Sequence, residues 1–230
     1  MLFVVDNFAC KVKMSNFARI FSYIIGMRLV FASNNAHKLE EVRKILPCEV
    51  EVLSLQQIGF HDDIEETGDS LEENSAIKAQ AVWAYIQTHA TGDIDGVFAD
   101  DTGLEIRVLG GKPGVHTARW AGEPANDANN RKKVLRELEG VADRAARFRT
   151  VVTLIHDGKQ EQMEGVVEGC IACEESGAGG FGYDPLFVPE GYDKTFADLP
   201  AEVKNSISHR ARAMEKLNER LKVLHGICCQ

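Results

Sequence analysis

Met27-Arg-Leu-Val-Phe-Ala-Ser-Asn-Asn-Ala-His-Lys38 is the stretch that decides the fold. Its apolar run is short and unbroken, which is the pattern of a fully buried strand. Ser33-Asn34-Asn35 then turns the chain. Leu39, Val42, Ile45 and Leu46 fall at helical spacing and predict a helix from about His37 to Leu46, stopped by Pro47. A buried strand that turns directly into a helix opens an α/β unit, and Val50–Leu55 reads as its second strand.

The same signals continue outward. Ser70-Leu-Glu-Glu73 is a capping box that opens a helix over 71–89, with Leu71, Val82, Tyr85 and Ile86 among its apolar positions. Val97-Phe-Ala99 reads as a strand ending at Asp100-Asp101-Thr102-Gly103, and the alternation of Leu104, Ile106 and Val108 as another strand. Residues 112–119 read as a loop, and 127–138 as a helix ended by Gly140. Residues 148–155 and 159–167 form a hairpin about Asp157-Gly158, a type I′ signal. A glycine-rich segment, 177–184, precedes a short strand at 186–188. A last helix starts near Ser208, with Ala213, Leu217, Leu221 and Leu224 on one stripe. Early alternation and a late hairpin predict an α/β fold with a mixed sheet. Without repeats or long linkers, residues 27–224 make one domain, with 225–230 as a tail.

Residues 1–26 place Lys11 and Lys13 before an apolar run, the order of a signal peptide, but Arg19 interrupts it and no small-x-small cleavage site follows. They read as an extension outside the fold. No run approaches the ~20 apolar residues of a membrane span. With 26 basic against 35 acidic residues, the net charge of -9 weighs against a nucleic-acid partner. A small anion is still acceptable where lysines or Mg²⁺ neutralise it. Six cysteines are too sparse for a disulfide framework, which points to a reducing, cytoplasmic compartment. Cys170-x-x-Cys173 has no second pair at zinc spacing, and neither His116 nor Ser176 sits in a G-x-S-x-G elbow.

Candidate chemistry gathers at loops and element ends. Ser33 to Lys38 set a helix start and a lysine together, a natural phosphate cradle; the plainer alternative makes Asn35 an N-cap. Glu65, Glu66, Asp100 and Asp101 offer hard oxygen ligands, and Mg²⁺ held by Asp101 with Glu65 or Glu66 is sensible chemistry. Asn74 and Lys78 share a helix face. Phe181 offers a ring for stacking on a planar base, beside the flexible Gly182. Lys204, His209 and Arg210 supply hydrogen-bond donors.

Taken together, Ser33-Asn-Asn-x-x-Lys38, Glu65-Glu-Thr-Gly68, Glu73-Asn-x-x-x-Lys78-Ala79, Ala99-Asp-Asp-Thr-Gly103, Leu109-Gly-Gly-x-Pro-Gly114, Gly180-Phe-Gly-Tyr-Asp-Pro185 and Lys204-Asn-x-Ile-Ser-His-Arg210 follow one order. That order strongly resembles the inosine/xanthosine triphosphate pyrophosphatase family, from Met27 to about Leu221. His37 stands where many members have Gly. The resemblance implies an elongated mixed sheet flanked by helices, with two lobes, a cleft between them and a homodimer. It implies Mg²⁺-dependent hydrolysis of ITP, dITP and XTP to the monophosphate and pyrophosphate, cleansing the nucleotide pool. By the same resemblance Ser33, Asn34, Asn35, Ala36, His37, Lys38 and Lys78 meet the triphosphate. Asp101 is the general base, and Thr102 a neighbouring contact. Glu65 or Glu66 joins Asp101 at the metal. Phe181, Gly182, Tyr183 and Asp184 form the base-stacking loop, and Lys204, His209 and Arg210 read the base. Two rivals differ in class: a pyrophosphatase for pyrimidine or modified nucleotides, and a nucleotide sensor without turnover.

Overall fold

A computed structural model of the protein describes residues 26–89 and 91–224. The expected extension, apart from Gly26, and the 225–230 tail lie outside the described residues. Among those described, seven strands make one mixed sheet in the order β2-β1-β3-β5-β6-β7, with β4 on the second half of β3. β1 (Met27–Phe31) runs parallel to β2 (Val50–Leu53) and to the start of β3 (Gly96–Ile106). β4 (Lys112–Gly114) and β5 (Ala145–His156) are antiparallel to β3, β6 (Lys159–Ile171) to β5, and β7 (Phe187–Pro189) to the end of β6. Asp157 and Gly158 have φ of 49° and 71°, both positive as a type I′ turn requires. None of the described helices is long and apolar enough to cross a membrane.

The period of two along β1 explains its unbroken apolar run. Leu29 and Phe31 face one side, where Phe98 joins them under α1 (Ala36–Ile45) and α5 (His209–Leu224). Val30 and Ala32 face the other, with Val97 and Ala99 under α2 (Leu71–Thr88). A separate core lies further along the sheet. Leu104 and Ile106 of β3 pack there with Phe148, Val167, Phe187 and Phe196, covered by Val134 of α3 (Asp127–Glu137). β3 therefore runs out of one core and into the next, and Asp100 to Gly103 lie where it crosses. The two lobes share a sheet, and the cleft opens at the crossing.

Three expectations need correction. Asp100-Asp101-Thr102-Gly103 does not separate two strands: β3 continues through it, with Asp100 opposite Val152 and Asp101 opposite Val151. Both carboxylates are buried, and cations brought from other elements make that tolerable. Residues 112–119 are not plain loop but hold β4 and a 3₁₀ turn at Thr117–Arg119. A helix missed in the sequence, α4 (Ala201–Ile207), carries Lys204; at seven residues it is too short to show a period.

α5 lies against β6 with no side chain between them at one point. A Cβ on Gly165 would collide with the His209 carbonyl oxygen and the Ala213 backbone nitrogen. That contact fixes the start of α5, where His209 and Arg210 stand.

Candidate active site

The cleft is a cavity of about 440 Å³ at the β3 crossing. One end is the turn between β1 and α1. Asn35 Oδ1 accepts from the Lys38 backbone N–H at 3.1 Å, so Asn35 is the N-cap, and Ser33 Oγ accepts from the Asn35 N–H at 3.2 Å. Ser33, Asn34, Asn35, His37 and Lys38 line the cavity, whereas Ala36 does not. The capping role and a place at the cavity wall are thus compatible.

Adjacent residues on a strand point to opposite faces, and the two aspartates of β3 live in different surroundings. Asp100 accepts from Lys38 Nζ at 2.9 Å and from Arg210 Nε at 3.0 Å. Burial opposes its ionisation, yet Lys38 and Arg210 outweigh burial and hold the carboxyl well below the usual range. Asp101 Oδ1 is 3.3 Å from Lys78 Nζ, which also lies 2.7 Å from Glu66 Oε1. Among the described residues, Asp101 Oδ2 is buried with no partner. Burial pushes the Asp101 pKa up, and Lys78 and Lys38 only partly offset it.

The loop before α2 sets that arrangement. Ser70 Oγ caps the Glu73 N–H at 3.2 Å, and Glu73 Oε2 accepts from the Asp69 N–H at 2.7 Å, which spends Glu73 on the helix start. Asn74 Oδ1 accepts from the Gly68 N–H at 2.8 Å, bending the acidic loop back over α2. Glu66 comes to Lys78 on the cavity wall; Glu65 is exposed and is not part of that wall. Of the two glutamates only Glu66 meets Asp101's partner.

At the other end stands Phe181. Lys204 Nζ lies 5.0 Å and Arg210 Cζ 5.7 Å from its ring centroid. Lys204 donates to Asp184 Oδ2 and to Glu41 Oε1, each at 2.7 Å; Glu41 also pairs with Arg210. Asp184 Oδ2 further accepts from the Phe181 N–H at 2.8 Å, so Asp184 shapes the loop. Gly182 is held by the start of α3, its N–H on Asp127 Oδ2 and its carbonyl on Arg131, both at 2.9 Å. Tyr183 is core, its hydroxyl donating to the Thr117 carbonyl at 3.0 Å. His209 stacks on Phe148 with centroids 4.6 Å apart, and its Nδ1 is buried without a partner. Burial first, then Arg210 and Lys204, keep its pKa well below the ordinary histidine value. It is a neutral imidazole.

Glu41, which no motif contains, and Asp100, to which none gave a role beyond a candidate oxygen ligand, belong to the site. They make a continuous chain of alternating charge, Lys38–Asp100–Arg210–Glu41–Lys204–Asp184, from one end of the cavity to the other. Position offered a signal for Glu41: it stands beside the buried Val42 on α1, four residues from His37 and three from Lys38. Thr102 joins the chain weakly, accepting from Arg210 Nη2 at 3.4 Å.

Asp100→Asn should therefore cost about 3–5 kcal/mol in urea unfolding at pH 7, since it strips a fully buried partner from two cations. The pH sign follows from the lowered pKa. The unfolded state binds the proton more readily, so this stability is present above the ordinary aspartate pKa of about 3.9 and fades as pH falls below it. An unchanged midpoint in the variant would show that the chain of charge carries no load.

The sequence model of the Ham1 family matches residues 29–220. A dITP/XTP pyrophosphatase of Porphyromonas gingivalis is 48% identical over 193 residues, 84% of this chain and 96% of the relative. One from Flavobacterium johnsoniae is 46% identical over 191 residues, 83% of this chain and 96% of its own. The solved structure of the Staphylococcus aureus Ham1 protein aligns with a TM-score of 0.76 at 37% identity, covering 86% of this chain and 99% of that one. Likeness of sequence and of fold thus extend over the same cleft and both lobes, and this chain belongs to the Ham1 family.

Proposed function

We propose that this protein hydrolyses non-standard purine nucleoside triphosphates, namely ITP, dITP and XTP, to the nucleoside monophosphate and pyrophosphate. One observation carries the reading: a single cavity holds lysines and carboxylates at one end and an aromatic ring flanked by cationic donors at the other. That is the polarity of a triphosphate joined to a base. The names of the similar proteins support the same class of substrate.

Attack of water on a phosphoanhydride needs orientation and charge neutralisation more than covalent chemistry. Lys38 and Lys78 meet the phosphate charge. Asp101, its pKa raised by burial, holds the attacking water and takes its proton. Glu66 keeps Lys78 beside it.

The same residues fit Mg²⁺. Glu66 and Asp101 share one ammonium, which leaves a net negative charge and the unpartnered Asp101 Oδ2. Two carboxylates with substrate phosphates are what Mg²⁺ ordinarily accepts, and when bound it neutralises charge on the phosphates. The homodimer rests on the family resemblance, and the cytoplasmic setting on the sparse cysteines.

Product analysis tests the reaction class. ITP should yield one pyrophosphate and one IMP, and EDTA should abolish turnover until Mg²⁺ is restored. Release of inorganic phosphate with IDP would place the cleavage at the wrong bond and overturn the proposal.

A further inference from the structure

The His37 ring lies against Phe181, with centroids 5.5 Å apart and planes inclined by 15°. His37 is exposed and Phe181 half-buried, so His37 is the partner free to move. Glu41 stands four residues further along the same face of α1, holding Lys204 and Arg210. α1 therefore presents two things to Phe181: the imidazole directly, and the two donors through Glu41. His37 covers one side of the ring.

Spacing decides what that contact means. A planar base between two rings needs about 3.5 Å on either side, or about 7 Å in all. Centroids 5.5 Å apart leave no room for one. The base reaches that side of Phe181 only after His37 has left it.

We infer that in the free protein the His37 imidazole fills the purine's seat over Phe181 and that the incoming base displaces it. The inference rests on the reading of Phe181 as the base-stacking ring. His37 is suited to the part: it is flat and aromatic, it stacks, and it rotates out to solvent without disturbing the core. A self-filled seat lowers apparent affinity by the fraction of time it is occupied. The reduction applies to any ligand with a base and to none without one.

Calorimetric titration of the full chain with IMP and with inorganic tripolyphosphate, a base-free probe, tests this. His37→Ala should bind IMP about 2–10-fold more tightly than the wild type, the range set by an aromatic pair. Any change in its affinity for tripolyphosphate should be smaller than the gain for IMP. His37→Phe, with a stronger stack, should bind IMP more weakly than the wild type. Unchanged or weaker IMP binding by His37→Ala would overturn the inference, showing a bystander or a clamp on the base. So would an equal shift for tripolyphosphate, which would place the effect at the helix start. A wild type that binds AMP as tightly as IMP fails the functional reading instead, and the displacement is then read with AMP.

Discussion

Asp101→Asn is expected to lower turnover of ITP by about 10²–10⁴-fold, the usual share of a general acid or base, while leaving the protein at least as stable as the wild type. The first half follows from the loss of the proton acceptor beside Lys78. The second follows from the raised pKa. Burial costs the Asp101 carboxylate more than its lysines return, so the folded state holds the proton more readily than the unfolded chain does. A raised folded pKa gives stability that is present below the unfolded value and lost as pH rises. Asparagine resembles the neutral form at every pH and keeps that stability. Pyrophosphate release from pH 5 to 9, with urea unfolding of the metal-free protein, reads both halves. Asp100→Asn should do the reverse, losing stability first. Near-wild-type turnover in Asp101→Asn would move the acceptor role to Glu66.

The second large effect is discrimination between bases. Catalytic efficiency should be highest for ITP and XTP, well lower for GTP, and lowest for ATP, by about 10⁴ relative to ITP. Hypoxanthine and xanthine present a 6-oxo acceptor; adenine presents a 6-amino donor at the same place. Lysine has three N–H donors, and Glu41 and Asp184 take two from Lys204, leaving one. Arg210 spends N–H groups on Asp100, Glu41 and Thr102 and keeps the rest. Neither side chain can become an acceptor. His209 is different, because a neutral imidazole adapts by changing tautomer, so it adds little to this choice. Each buried donor left facing another donor costs about 1–3 kcal/mol, and more when charged, so two suffice for the predicted ratio. Guanine keeps the 6-oxo group, and only its 2-amino group can be refused. Steady-state pyrophosphate release from the four triphosphates gives the order. Equal efficiency on ATP and ITP would refute both the pocket assignment and the nucleotide-cleansing role.

What could be read from the sequence was whatever has a period or a fixed turn chemistry. The buried run of β1, the capping box at Ser70, the Asp157-Gly158 turn and the stripe of α5 stand where they were expected. The site residues assigned by the resemblance meet in one cavity, with Ala36 and Glu65 left off its wall. The continuity of β3 was hidden because its charges are neutralised from afar. Lys38 and Arg210 lie 62 and 110 residues from Asp100. Glu41 went unassigned for the same reason, with Lys204 and Arg210 163 and 169 residues away. Period-based reading sees one element at a time, and a buried charge is licensed by others.

The bare contact at Gly165 has a consequence for how this scaffold changes its tastes. Where a helix rests on side chains, swapping a leucine for a valine shifts it by fractions of an ångström, and a pocket drifts with its packing. Here backbone meets backbone, and there is no shim to trim. His209 and Arg210 inherit their position from the β6 main chain, whatever happens along the rest of α5. Directed evolution toward another base has its freedom in the 181–184 loop and in the acids that aim Lys204 and Arg210, and almost none in the seat of the helix.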